Sequence, residues 1–141
     1  TSLFGAALAL GRFAKPFLPR ALGDFIPAPH AAGEWPAPRH SRTVVIALGC
    51  VQPSLAPNID AATARVLDRM GISAIAVEGG RCCGALSYHL SEHEEARALA
   101  RRNIDAWWPH VERGAEAIVV TASGCGVMVR DYGAVFADDR A

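Results

Sequence analysis

Three short apolar runs, each rich in β-branched residues and each running out toward glycine and cysteine, constrain this chain more than any other feature. They are TVVIAL at Thr43–Leu48, ISAIAV at Ile72–Val77 and AEAIVVTA at Ala115–Ala122. Runs of this length and composition predict strands buried on both faces. Helical patterns lie between them. Asn58–Gly71 places Ile59, Ala62, Val66 and Met70 on one face, with Asn58 as the expected cap and Gly71 as the stop. Ser91–Val111 predicts a longer helix, with Ser91 and Glu94 spaced as a capping box and Pro109 ending or bending its tail. A short last helix is expected around Val127–Tyr132. This alternation predicts an α/β fold. It is a three-layer, Rossmann-like parallel sheet of three or four strands, with flanking helices and right-handed crossovers.

That topology decides where the cysteines go. In a parallel sheet the loops after the strands all emerge at the carboxyl edge, where ligands bind. Cys50 follows the first run, Cys82 and Cys83 follow the second, and Cys125 follows the third. All four thiols are therefore expected at one edge, although they are far apart in sequence. Gly49, Gly79, Gly80, Gly84, Gly124 and Gly126 flank them, leaving room for a bulky ligand and amides free to bond sulfur. Such a set suits a metal or an iron–sulfur centre. Adjacent residues splay their side chains, so Cys82 and Cys83 fit a single tetrahedral zinc poorly and a centre with several irons better. The plain alternative is four small buried residues with no ligand.

Composition narrows the classes. The 141 residues suffice for one domain with a core, and 14 basic against 14 acidic residues give a formal net charge of zero. That balance argues against nucleic-acid binding as the main task. Four cysteines are too few for a secreted disulfide scaffold, and no stretch reads as a signal peptide. The chain opens on Thr1, and the expectation is a domain cut from a longer protein.

Residues 1–41 differ from the rest. Leu3, Phe4, Ala7, Leu8, Phe13 and Phe17 have roughly helical spacing, and Arg12 and Lys15 interrupt the apolar stretch before it reaches membrane-spanning length. Pro27, Pro29, Pro36 and Pro38 then predict an extended linker. The expected organisation is an N-terminal helix and Pro-rich arm over 1–41, followed by a cysteine-rich α/β domain over 42–141. The first helix either packs on that domain or docks on a partner or a membrane surface.

The motifs GCVQ, CCGAL followed by His89, and TASGCGVMVRDYG, in this order after three strands, resemble the cysteine-rich CCG domain of the glycolate oxidase (glycolate dehydrogenase) iron–sulfur subunit, to which a cysteine-rich component of heterodisulfide reductase is related. The resemblance runs from about Arg42 to the C-terminus. It implies that Cys50, Cys82, Cys83 and Cys125 are ligands of an iron–sulfur cluster, of the 4Fe-4S type, which an isolated domain can lack or exchange for zinc. It implies electron transfer with a flavin-bearing subunit that oxidises glycolate to glyoxylate. It further implies a ferredoxin-like part and a second CCG repeat in the full-length subunit, and a cytoplasmic complex resting peripherally on the inner face of the membrane. No catalytic set is present, so the fragment alone is not expected to be an enzyme. One departure stands out. The broader pattern ends in Cys-x-x-Cys, and here Met128 occupies the last position.

His89 is a candidate additional ligand, outer donor or proton carrier, against an ordinary helix-start histidine. His93 and His110 read as helix-surface residues, and His30 and His40 as linker residues. Gln52, Ser123 and Tyr132 are candidate supporting groups near the cysteines. Of Trp107 and Trp108, one is expected in the core and the other exposed, and Glu92, Glu94 and Glu95 read as complements to a helix dipole. Two further readings stay open: a zinc-binding or metal-free assembly module, and a thiol-redox protein using the vicinal pair.

Overall fold

The computed structural model describes residues 3–137, and the two ends of the chain, 1–2 and 138–141, lie outside the described residues. Strand β1 (Arg42–Ile46) forms the middle of the sheet, with β2 (Ile72–Ala76) on one side and β3 (Ile118–Val119) on the other. Both pairings are parallel. β1 lies in the middle because it is the run with most to hide: Val45 and Ile46 are wholly buried, pointing to opposite faces. Burying each contributes about 1.5–3 kcal/mol.

The alternation along β1 builds two half-cores. Val44 and Ile46 pack with Ala64, Ile72 and Ala74 on one face, beneath helix α4 (Pro57–Arg69). Val45 and Ala47 pack on the other face with Ala96, Ala100 and Trp107 of helix α6 (His93–Glu112), and with Met128, Tyr132 and Val135 of α7 (Ser123–Arg130) and α8 (Tyr132–Val135). The result is the expected three-layer α/β sandwich. In α6 the buried residues Ala96, Ala100, Asn103 and Trp107 recur at helical spacing. The two alanines let the helix lie close to what it covers, while Trp108 turns outward, 54% exposed.

Several local expectations fail, for reasons of competing backbone geometry. Ser91 does not cap α6. It adopts a positive φ of 65° and closes a short helix, α5 (Ala85–His89), so that α6 starts at His93. His89 accordingly ends a helix instead of beginning one. Asn58 lies inside the first turn of α4, because Pro57 takes the first helical position, and its Oδ1 is buried without a hydrogen-bond partner. Pro109 lies inside α6, which continues to Glu112. An unforeseen turn, α3 (Gln52–Leu55), follows Cys50. The third strand keeps only Ile118–Val119 as regular strand, although Glu116 and Ala117 already bond to β1 through Glu116 N–H to Thr43 O (2.8 Å) and Val45 N–H to Ala117 O (3.0 Å). The helix expected around Val127–Tyr132 is α7, which begins at Ser123, four residues earlier, and α8 follows it.

The N-terminal segment forms helix α1 (Leu3–Ala14), a 3-10 turn at Lys15–Phe17 and a short helix α2 (Arg20–Gly23). None of the residues of α1 is buried. Its ties are polar: Arg12 donates to the carbonyls of Pro27, Ala28 and Ser54, and Lys15 to that of Ile26. The linker has no regular structure but is partly docked. Trp35 Nε1 donates to Ala74 O at 3.0 Å and its ring packs on the half-core under α4. The backbone N–H groups of Arg39 and His40 both donate to the buried Ser73 hydroxyl. Arg39 and His40 also hold Asp68.

Candidate metal centre

Each cysteine loop leaves the carboxyl end of its strand. After β1 the chain turns at Gly49 and Cys50 into α3. After β2 it passes Gly79 and Gly80 before Cys82 and Cys83. After β3, Cys125 lies in the first turn of α7, where the helix starts earlier than its sequence pattern suggested. All four cysteines are free, Cys83 is buried and the other three are half-buried.

The structure brings the four together in two pairs. Cys83 interacts most strongly with Cys125, and Cys50 with Cys82, and the other three cysteines all lie within electrostatic reach of Cys125. Within the first pair the proton stays on Cys125. Its hydrogen bond to Cys83 lowers the Cys83 pKa to about 6, against the opposing effect of burial, and the backbone N–H groups of Ala85 and of Cys83 itself add to the lowering. Cys125 moves the other way, held protonated by that shared bond and by burial. Burial raises Cys50, with the charge and hydrogen bond of Cys82 adding to it. The opposite directions of Cys83 and Cys125 are what sulfurs crowded together without a cation produce.

Two buried polar groups support the loops from opposite layers. Under β1 and β3, Gln52 Nε2 donates to Asp60 Oδ1 at 2.8 Å and to the Thr121 hydroxyl, which itself donates to Asp60 Oδ1 at 2.6 Å. This ties the loop after Cys50 to the approach to Cys125. On the α6 side, Asn103 Nδ2 donates to Cys82 O, and Tyr132 donates to Cys83 O. Burial pushes Tyr132 up to about 12, so at neutral pH it is a hydroxyl and a donor. Gln52 and Tyr132 were legible as candidates near the motifs. Asn103, Asp60 and Thr121 were not. The available signal for Asn103 was a polar residue on the otherwise apolar stripe of α6.

Two glycines let the vicinal pair sit where it does. Gly84 has φ +85°, and a Cβ there would stand 3.0 Å from Ala96 O. A Cβ on Gly80 would stand 2.6 Å from Asn103 Oδ1. Met128, at the position of the absent thiol, is buried in the same half-core as Cys83. His89 is exposed, edge-on to Tyr88 at 6.2 Å, and lines a separate cavity with Gly124 and Asp131. Ser123 is exposed and opens α7. An apolar cavity of about 240 Å³ adjoins the sulfurs, lined by Cys50, Leu55, Ile59, Ala122 and Cys125.

The donor set is one of sulfurs. Among the described residues no three His, Cys, Asp or Glu side chains converge in a way that holds one metal ion. Four free thiols spread over three loops, backed by glycines and by backbone N–H donors, match the needs of a multinuclear iron–sulfur group.

Comparison with known proteins agrees. The CCG cysteine-rich domain family matches residues 44–130, which include all four cysteines. The glycolate oxidase iron-sulfur subunit of Escherichia coli (strain K12) is 49% identical over 139 residues, covering 98% of this chain and 34% of that protein. A lactate utilization protein A from an Exiguobacterium species is 30% identical over 96 residues, 68% of this chain and 38% of the relative. A probable glycolate oxidase iron-sulfur subunit of Bacillus subtilis (strain 168) is 29% identical over 91 residues, 64% of this chain and 20% of the relative. The chain thus spans about a third of the length of its E. coli relative. No solved structure matches it significantly. With its three motifs in order at one sheet edge, the chain belongs to the CCG cysteine-rich domain family.

Proposed function

We propose that this chain is an electron-transfer domain of the iron–sulfur subunit of a flavin-linked glycolate oxidase, which converts glycolate to glyoxylate. The observation that carries the reading is the meeting of four free thiols from three loops at one sheet edge. Glycolate is favoured over lactate as the substrate of the parent complex by the 49% identity to the E. coli glycolate protein against 30% to the lactate utilization relative.

Cys50, Cys82, Cys83 and Cys125 hold the cluster, of the 4Fe-4S type. When bound, the cluster accepts and releases electrons singly. The chain's own part is to present thiolates and keep them oriented. The N–H groups of Cys83 and Ala85 favour charge on Cys83, whereas burial and the neighbouring sulfurs disfavour it on Cys50 and Cys125, a penalty that bound iron would offset. Cys82 and Cys83, as neighbours in the chain, would present their sulfurs in different directions, which suits a centre with more than one iron.

The domain works beside a flavin-bearing subunit, and with a ferredoxin-like part and a second CCG repeat of the same full-length subunit. Residues 1–41 form the arm that leads to the ferredoxin-like part, and 42–141 the cluster domain. Among the described residues no helix is long and apolar enough to cross a membrane. Association with the inner face of the membrane is peripheral, through the complex. The balanced charge gives no purchase for nucleic acid.

The test is anaerobic reconstitution followed by iron, sulfide and zinc analysis and an absorption spectrum. Cys82→Ser and Cys83→Ser each lower bound iron, while His93→Ala, on the exposed start of α6, leaves it unchanged. Full iron and sulfide with an unaltered spectrum in both cysteine variants would overturn the reading.

A further inference from the structure

We infer that Asn103 and Tyr132 are positioning residues for the sulfur site, gripping the carbonyls of Cys82 and Cys83 and so fixing the backbone orientation of the vicinal-cysteine loop. The inference rests on the reading of the thiols as cluster ligands.

Asn103 is 1% exposed and Tyr132 6% exposed. Asn103 Nδ2 donates to Cys82 O at 2.8 Å and to Tyr132 Oη at 2.8 Å, which uses both hydrogens of the amide. The Tyr132 hydroxyl, having accepted from Asn103, donates to Cys83 O at 3.0 Å. Two consecutive carbonyls of the vicinal pair are thus held by one buried chain of hydrogen bonds.

A trans peptide unit is planar and directs its N–H opposite to its C=O. Holding Cys82 O against α6 therefore turns the N–H of Cys83 away from α6. Holding Cys83 O does the same for the N–H of Gly84. The N–H groups of Cys83 and Ala85 favour charge on the Cys83 sulfur. Hydrogen bonds to a ligating sulfur stabilise the more negative, reduced state of a centre and so raise its potential.

Packing alone does not account for an asparagine here. Its Oδ1 is buried without a partner, a cost that a leucine of similar size would avoid. Only the donors of the amide suit two facing acceptor oxygens. Gly80 lets the loop close onto this side chain, since a Cβ there would meet Asn103 Oδ1 at 2.6 Å.

The experiment compares wild type, Tyr132→Phe, Asn103→Leu and Val135→Ala. Val135 is in the same half-core but has no side-chain bond to the cysteine loop. Iron and sulfide content and the midpoint potential are measured after anaerobic reconstitution, and the rate at which iodoacetamide alkylates Cys82 and Cys83 is measured in the metal-free protein. The expected result is a roughly tenfold shift of the reduction equilibrium toward the oxidised state in Tyr132→Phe and Asn103→Leu, ~59 mV for a one-electron couple. Alkylation in the same two variants changes several-fold. Val135→Ala lowers the melting temperature and moves neither quantity. Should Asn103→Leu not fold, Tyr132→Phe decides. A Tyr132→Phe protein with wild-type potential and wild-type alkylation overturns the inference. A wild type that takes up no iron overturns the cluster reading instead, and the alkylation rates still decide whether the grip exists.

Discussion

The α6 side of the sulfur edge and the N-terminal arm are both rich in large apolar residues, and they end in opposite states. Trp107 on α6 is 4% exposed, whereas Phe13, Phe17 and Phe25 of the arm are 76%, 83% and 86% exposed. The difference is the surface opposite. α6 faces a sheet and a glycine-bearing loop that approach within backbone contact of Ala96. α1 meets mainly the short turn α3, with side chains that reach carbonyls instead of a core. An apolar helix is buried only where another element offers a complementary face. The arm keeps much of its apolar surface outward.

The contrast can be broken most forcefully on the α6 side. Trp107→Ala should cost about 3–5 kcal/mol in denaturant unfolding, the range for deleting a buried indole. A loss below about 1 kcal/mol would mean that α6 is no better anchored than the arm. Gly84→Ala comes next. The added methyl meets Ala96 O at 3.0 Å in a backbone with φ +85°, so a loss of about 1–3 kcal/mol is expected, with lower iron uptake on reconstitution.

A smaller effect is expected where the linker meets the domain. Asp68 is held below its ordinary value by its hydrogen bond from Arg39, which outweighs desolvation, with His40 adding a further bond. A carboxylate with a depressed folded pKa stabilises the fold above its unfolded pKa and loses that contribution as pH falls through the folded value. Asp68→Asn should therefore flatten the acid limb of the stability profile below about pH 4 and leave its neutral limb parallel to wild type. The smallest effect belongs to the arm. Phe13→Ser, Phe17→Ser and Phe25→Ser should each change stability by no more than about 0.5 kcal/mol. A larger drop in any of them would show that the arm is packed more tightly than its exposure indicates.

The sequence by itself determined the alternation of strands and helices and, through it, the gathering of the cysteines. Parallel connectivity leaves no other place for loops that follow strands, so Cys50, Cys82, Cys83 and Cys125 had to share an edge however far apart they stood in the chain. It also foretold that one of Trp107 and Trp108 is buried and the other exposed, because neighbours on a helix face different ways, while the structure decided which. Local boundaries were less legible: Ser91 looks like a cap and Asn58 like another, yet the turn after α5 and the proline at the start of α4 took those positions first. Only the tertiary structure decided that Cys83 meets Cys125 while Cys50 meets Cys82, and that Asn103 reaches the carbonyl of Cys82. Those contacts depend on how closely α6 settles on the loop and how far α7 extends toward β3. Such distances are set by the packing of alanines and glycines across layers, which no periodicity along a single element records.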